Sequence, residues 1–372
     1  MPTLSRADNS LLGRWWWTVD RWTLGAIGVL IGFGYIMMLA ATPAVAERIG
    51  STRDMFIVKQ VFFLAAAGIV VVAVSLLSPR SIKRLAIVGC LIALALTAAT
   101  MVMGTEIKGA RRWISLPGMT VQPSEFLKPC FAVTAAWLIA EGRRTPRFPG
   151  MIIAFLIFGL ILALLKSQPD VGMLAVITAV FLAQLYVGGM HLILVGAGAG
   201  LMAGGAVMAY ALFPHVRSRV ERFWEGTGDN YQVTTALEAF GNGGLMGRGP
   251  GEGRVKDVLP DAHADFVFAV AGEEFGMLIC LLILLVFAFI VLRGLLRLLK
   301  EQDIFVVLSC TGLVAGFGLQ AFVNMASTLK LIPTKGMTLP FISYGGSSVI
   351  AVALGMGMLL ALTRRRHRED ET

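Results

Sequence analysis

Charged residues are scarce in this chain: Asp, Glu, Lys and Arg make up 15% of its 372 residues. A soluble domain carries about a quarter, so a soluble fold is excluded. Histidine and cysteine are scarcer still, at four each, and no pair of either stands at metal-ligand spacing. That argues against a structural zinc site. The four cysteines, Cys90, Cys130, Cys280 and Cys310, lie inside apolar runs and read as small packing residues. No Walker A sequence, no G-x-G-x-x-G after a strand and no G-x-S-x-G is present, which argues against ATP-driven transport. Whatever chemistry the chain performs rests on carboxylates and basic side chains.

Apolar residues, by contrast, make up 56% of the chain, and the mean hydropathy is +0.77. Runs of about 20 apolar residues recur, each long enough to cross a bilayer. The expected fold is an all-α polytopic membrane protein of about ten transmembrane helices. They fall at 22–42, 56–77, 84–104, 124–141, 149–166, 170–188, 190–212, 266–292, 304–328 and 347–363. Ala44-Val45-Ala46 resembles a signal-peptidase site, but the run before it exceeds a signal peptide's apolar core, so it reads as an uncleaved span.

The net charge of +9 is topological rather than a nucleic-acid signature. With a cytoplasmic N-terminus, the inner connections hold Arg80, Lys83 and Arg84, then Arg143, Arg144 and Arg147, then Arg293, Arg297 and Lys300. The tail adds Arg364, Arg365, Arg366 and Arg368. Basic inner connections are what the positive-inside rule requires, and an even span count returns the C-terminus to the cytoplasm. The organisation expected is a cytoplasmic tail over 1–21, one ten-span domain over 22–363 and a basic tail over 364–372. In the first tail Trp15, Trp16 and Trp17 stand among Arg6, Arg14 and Arg21, a composition suited to interfacial anchoring.

The polar connections at 105–123, 213–265 and 329–346 then share the outer face. The second, between spans 7 and 8, is long enough to hold structure of its own. A short helix is expected near Gln232–Phe240, and irregular or mobile chain over the glycine-rich Gly241–Gly253. Gly196, Gly200 and Gly204 share a face of the seventh span and suggest close helix packing.

Candidate functional residues cluster on that outer face. Residues 259–276, LPDAHADFVFAVAGEEFG, carry Asp261, His263, Asp265, Glu273 and Glu274 into a hydrophobic run. Ionisable groups at membrane depth are costly unless they face a cavity or a partner. Asp265 is either a dipole-stabilising residue at a helix start or the group that does chemistry. His263 reads as structural, and Glu273 and Glu274 as partners of basic groups on other spans. In the first outer connection Arg111 and Arg112 stand beside Trp113, as a phosphate cradle or as interface anchors. Ser124 is expected to cap the next helix, with Glu125 and Lys128 three residues apart as an ion pair. Asp170 in Gln168-Pro169-Asp170 suits the N-terminal end of the following helix. The segment Ile332–Ser348 breaks regular helix with two prolines and three glycines, while Lys335 and several serines, Ser347 among them, supply donors. Broken backbone at membrane depth survives only where it is buried or lines a cavity.

Four of these stretches, GARRWISLPGMTVQPSEFLKP, QPDVG, LPDAHADFVFAVAGEEFG and PTKGMTLPFISYGGSS, resemble the SEDS family (shape, elongation, division and sporulation) in the family's own order. The third and fourth are nearer its division branch than its elongation branch. Ala264 stands where threonine is common and Pro117 where glycine is common.

The resemblance implies a peptidoglycan glycosyltransferase that polymerises lipid II into β-1,4 glycan strands outside the cytoplasmic (inner) membrane, at the division septum. It places the catalytic aspartate on Asp265. A carboxylate there can take the proton from the acceptor sugar hydroxyl as that oxygen attacks the donor's anomeric carbon. Charge on the departing undecaprenyl diphosphate needs cations: Arg111, Arg112 and Lys335, with Lys128 beside them. Glu125, Asp170, His263 and Ser347 are supporting residues. A divalent cation, Mg or Mn, is the expected cofactor, with no organic one. Expected partners are lipid II, undecaprenyl-diphosphate-linked glycan, a class B penicillin-binding protein (the septal transpeptidase) and other division proteins, with no nucleic acid. A lipid II flippase and the elongation-type polymerase are the alternatives.

Overall fold

The structure is a computed structural model describing residues 10–49, 53–107, 110–116, 119–225, 231–333 and 336–365. A short helix, α1 (Leu11–Thr18), precedes α2 (Arg21–Ile49), α3 (Arg53–Ser75) and α4 (Pro79–Met103). Three strands follow, β1 (Thr105–Ile107), β2 (Ala110–Leu116) and β3 (Met119–Val121). The chain returns to helix in α5 (Pro123–Arg144), α6 (Gly150–Ser167), α7 (Val171–Val187) and α8 (Leu192–Leu212). The long connection contains α9 (Pro214–Glu225), α10 (Tyr231–Gly243) and α11 (Val255–Val258), and α12 (Val267–Leu298), α13 (Ile304–Thr328) and α14 (Gly346–Leu362) complete the bundle.

The ten long helices fall on the ten expected spans, and α10 covers the helix expected near Gln232. Seven of the ten are individually long and apolar enough to cross a membrane. The others are α5, α7 and α14. At 17 residues each, α7 and α14 reach about 25 Å at 1.5 Å per residue. The third, α5, carries Glu125, Lys128, Glu141, Arg143 and Arg144, yet its buried residues run from Pro123 to Ala140 with few gaps. It packs against α4, α6, α7, α13 and α14. Tertiary contacts rather than lipid cover it, so its own hydropathy is low.

Five details depart from the sequence expectations. The first outer connection, for which the sequence suggests no regular element, is a small antiparallel sheet of order β1-β2-β3. Its register sets Glu106 opposite Arg111 and Ser115 opposite Thr120. Gln122, not Ser124, is the N-cap of α5, because Pro123 occupies the first helical position, where its missing N–H is no loss. Methyl groups at Gly196, Gly200 or Gly204 would touch nothing within 4 Å, so among the described residues that face of α8 packs on no other element.

The fourth departure lies in α12. Gly276 breaks it, with φ 78° and ψ 176°, into an arm over 267–275 and a long helix over 277–298. A break exposes carbonyls on one side and N–H groups on the other. The glycine-rich stretch after α10 satisfies both. The carbonyls of Glu273 and Glu274 accept from Arg248 and Gly249 (2.9 and 3.0 Å), while Met277 and Leu278 donate to Gly244 and Leu245 (2.9 and 3.3 Å). The glycines are therefore ordered turns around the break. The fifth departure follows from this wrapping: Glu273 and Glu274 pair with Arg248 and Lys256 of the long connection, not with other spans.

At the opposite end of the bundle, Asp20 is 2% exposed and receives Arg293 through Nε and Nη2 (2.7 and 2.8 Å). Arg297 stands 3.0 Å from the same carboxylate, and the Thr23 hydroxyl donates to it at 2.8 Å. Burial raises the Asp20 carboxyl's pKa, but the Arg293 and Thr23 hydrogen bonds and the Arg297 charge outweigh it and hold the group below its ordinary range. Arg297 also donates to the Thr363 carbonyl, and the Trp15 indole to Ser75, both at 2.8 Å. The helix starts and ends at this face are thereby tied together. Arg21 lies over the rings of Trp16 and Trp17, at 5.6 and 4.9 Å. The four cysteines are buried and free.

Candidate active site

Asp265 sits half-buried at the end of a tight turn just before α12. Asp261, at φ 54°, folds this turn, and its carbonyl accepts from the N–H groups of Ala264 and Asp265, both at 3.0 Å. Three successive carbonyls then anchor the stretch to other elements. His263 accepts from the Tyr344 N–H (2.9 Å), Ala264 from the Ser343 hydroxyl (2.5 Å) and Asp265 from the Asn324 amide (2.9 Å). All three bonds use backbone, so the Asp265 carboxylate is not spent on them. It lies against Gly336, where an added Cβ would stand 3.1 Å from Oδ2. The His263 ring packs on Tyr344 at 5.2 Å, a structural placement.

The segment from Gly336 to Gly345 closes the site by dropping into the bundle. Met337, Leu339, Phe341, Ile342 and Ser343 are buried, and the Phe341 carbonyl presses on Gly34 of α2. Gln60 of α3 donates to the Ser343 carbonyl at 3.3 Å. Irregular backbone here is enclosed by protein, as the sequence demanded. Lys335 lies outside the described residues.

Lys128 is a largely buried cation near the site, its side chain 9% exposed. Its ammonium is 2.7 Å from Glu125 and donates at 2.6 Å to the Gln320 side-chain oxygen. Gln320 in turn donates to the Thr338 carbonyl (3.0 Å), the Thr338 hydroxyl (3.2 Å) and Ser348 (3.4 Å). An ammonium has three donors; Gln320 accepts from one, and the Glu125 carboxylate stands at ion-pair distance beside another. Lys128 also lines a mostly apolar, partly open cleft between α5, α7, α13 and α14, whose walls include Phe131, Ile177, Val180, Phe317 and Met356.

Other expected site residues act as braces. Arg112 donates to the carbonyls of Gln168 (2.8 Å) and Pro169 (2.7 Å) and meets Asp170 at 3.4 Å. Asp170 also caps α7, accepting from the Met173 N–H at 3.2 Å. Sequence motifs 58 residues apart are thus one unit. Arg111 is exposed on β2 and pairs with Glu106 at 3.4 Å, its neighbour across the sheet. Ser347 accepts from the Gln122 N–H at 3.3 Å, which latches the start of α14 to the start of α5. Sequence reasoning missed Gln320 and Asn324. Their signal was available: two amides four residues apart in an otherwise apolar span have a partner inside the protein.

Among the described residues no three His, Cys, Asp or Glu side chains converge as a metal cage.

The family model described as "Cell cycle protein", which spans FtsW, RodA and SpoVE, matches residues 21–368. The chain belongs to this family. It is 44% identical over 364 residues to the probable peptidoglycan glycosyltransferase FtsW of Caulobacter vibrioides, covering 97% of this chain and 93% of that one. The FtsW of Trichlorobacter lovleyi, with the same description, is 32% identical over 344 residues, 90% of each chain. Among solved structures, a chain from work on the structural coordination of polymerization and crosslinking by a peptidoglycan synthase complex superposes with a TM-score of 0.76. It is 25% identical and covers 93% of this chain and 97% of that one. RodA of Thermus thermophilus, at 24% identity and a TM-score of 0.70, covers 94% and 97% and shares the fold. The FtsW/RodA/SpoVE match encloses the Arg112, Asp170, Asp265 and Thr338 segments together, so the whole site lies within the family domain.

Proposed function

We propose that this chain is a membrane-embedded peptidoglycan glycosyltransferase that polymerises lipid II at the outer face of the cytoplasmic membrane, during septal wall synthesis. The observation that carries the reading is the Asp265 carboxylate, half-buried against Gly336 on a turn whose carbonyls are anchored by Tyr344, Ser343 and Asn324. Relatives described as glycosyltransferases at up to 44% identity support the reaction class. Asp265 takes the proton from the acceptor sugar's 4-hydroxyl. The O4–C1 bond forms as the bond from C1 to the diphosphate oxygen breaks, and the electron pair leaves with undecaprenyl diphosphate. One displacement inverts the α-linked donor to a β-1,4 product.

Lys128 offers its third donor to the departing diphosphate, and the apolar cleft beside it suits a polyprenyl chain. Lys335 and the exposed Arg111 are the further candidates for this charge. Arg112 serves it indirectly, by fixing the turn before α7. Mg or Mn would find its protein oxygen donor in the Asp265 carboxylate and would offset charge on the leaving group. The partner is a class B penicillin-binding protein, consistent with the likeness to a chain from a polymerising and crosslinking complex.

The test is incubation of the purified chain and its partner transpeptidase with lipid II and a divalent cation. Glycan ladders on a gel support the reading. No ladders, with movement of labelled lipid II between liposome leaflets, would replace it with a flippase.

A further inference from the structure

Asp265 stands midway between two buried residues of opposite charge, nine positions after Lys256 and nine before Glu274. Their side chains meet at 2.6 Å, with exposures of 6% and 0%. The contact closes residues 256–274 into a loop with Asp265 at its tip. Hydropathy cannot account for it, since two charges are withdrawn from water where an apolar pair of similar volume would cost less.

The pair is also built into the backbone on both sides. Lys256 donates to the Gly251 carbonyl at 2.8 Å, while the Gly251 N–H donates to the second Glu274 oxygen at 3.0 Å. Next to it, Glu273 accepts from the Val255 N–H at 2.9 Å, and Arg248 and the Asn242 amide reach its other oxygen at 3.7 and 3.4 Å. These two carboxylates end the arm of α12, immediately before the Gly276 break. The arm is nine residues long and begins just after the Asp265 turn. The break uncouples it from the long helix, so the Glu273–Glu274 contacts at its far end act with the Tyr344, Ser343 and Asn324 bonds at its near end in setting its tilt.

We infer that Lys256 and Glu274 form a positioning staple that fixes the arm of α12, and through it the Asp265 carboxylate, in the reactive geometry. The staple rests on the proposed transferase reading for its catalytic consequence, but its mechanical part stands separately. Lys256 and Glu274 are positioning residues and touch no reacting atom.

The test compares wild type with Glu274→Gln and with the charge-free double variant Lys256→Met/Glu274→Gln, each as the full chain in its transpeptidase complex. The double variant leaves no buried charge unpaired, so it keeps the test decisive should the single change unfold the chain. Two quantities are read: amide hydrogen exchange and steady-state polymerisation of lipid II. Exchange over 259–266 is expected to quicken by about tenfold in both variants, with α4, α5 and α13 unchanged. Turnover is expected to fall by about 10–100-fold, the scale of an ångström-sized misplacement, with KM for lipid II within about twofold. Unchanged exchange over 259–266 overturns the staple. So does faster exchange with wild-type turnover, or loosening spread evenly through the bundle. A wild type that makes no glycan removes the transferase reading, and the exchange comparison still decides whether the staple holds the turn.

Discussion

Asn324 donates from one amide nitrogen to two carbonyls, that of Asp265 at 2.9 Å and that of Met337 at 2.6 Å. One fully buried side chain of α13 thus holds the turn carrying the carboxylate and the segment that closes over it. Asn324→Leu keeps the volume but leaves both carbonyls without this donor. Each orphaned carbonyl costs about 1–3 kcal/mol. The variant is expected to melt lower in detergent and to lose lipid II turnover by about 10–100-fold, the scale expected when positioning fails. Thermal melting and ladder kinetics on the same preparation check this; wild-type turnover would remove Asn324 from the support of the site.

Lys128 has a structural and a functional part that separate by mutation. Lys128→Met leaves Glu125 buried without its partner 2.7 Å away, and such an uncompensated charge costs about 3–5 kcal/mol. Adding Glu125→Gln is expected to recover most of that stability. Activity is not expected to recover, because the donor for the diphosphate is still missing. A double variant with normal turnover would make Lys128 a structural ion pair only.

The Arg112–Asp170 brace predicts a graded series. Asp170→Asn keeps a good N-cap for α7, so it loses only the 3.4 Å charge contact. Asp170→Ala also loses the cap, for a further 0.5–2 kcal/mol or about that. Arg112→Ala, which frees two carbonyls, is expected to be at least as damaging as Asp170→Ala. Melting temperatures should rank the three in that order.

At the opposite end, the Asp20 cluster predicts a pH dependence. Its carboxyl pKa is depressed in the folded state from an ordinary value of 3.8. The sign follows from linkage: stability from this group is fully present above the unfolded pKa and is lost as pH falls through the folded one. Asp20→Asn should therefore melt well below wild type at neutral pH, by the equivalent of about 2–4 kcal/mol for a largely buried pair. The gap should narrow only below about pH 4, where the unfolded carboxyl begins to take up protons. A gap that closes between pH 7 and 5 would contradict the depressed pKa.

Hydropathy made the helices legible because most spans, α5 excepted, are long runs with few charges, and α13 begins and ends where the pattern places it. The Glu125–Lys128 pair was legible from i,i+3 spacing alone. What escaped was set by contacts distant in sequence. Strands of three and seven residues, one carrying Arg111 and Arg112, give no periodic signal long enough to read. The Gly276 break hid within an apolar run, since one glycine in a helix is ordinary until φ is known. The partners of Glu273 and Glu274 lie on the long connection, whose turns carry no periodic signal. Asp265 was found through its motif, whereas its support by Asn324 and Ser343 exists only in three dimensions.

The most direct measurement is polymerisation of lipid II by Asp265→Asn beside wild type, with partner transpeptidase and divalent cation present. Asparagine preserves the side chain's shape against Gly336 and leaves all three carbonyl anchors in place, so melting should stay near wild type. Loss of a general base removes about 10²–10⁴ in rate, and ladders should vanish on the wild-type time scale. Ladders from the variant at the wild-type rate would show that the proton leaves by another route.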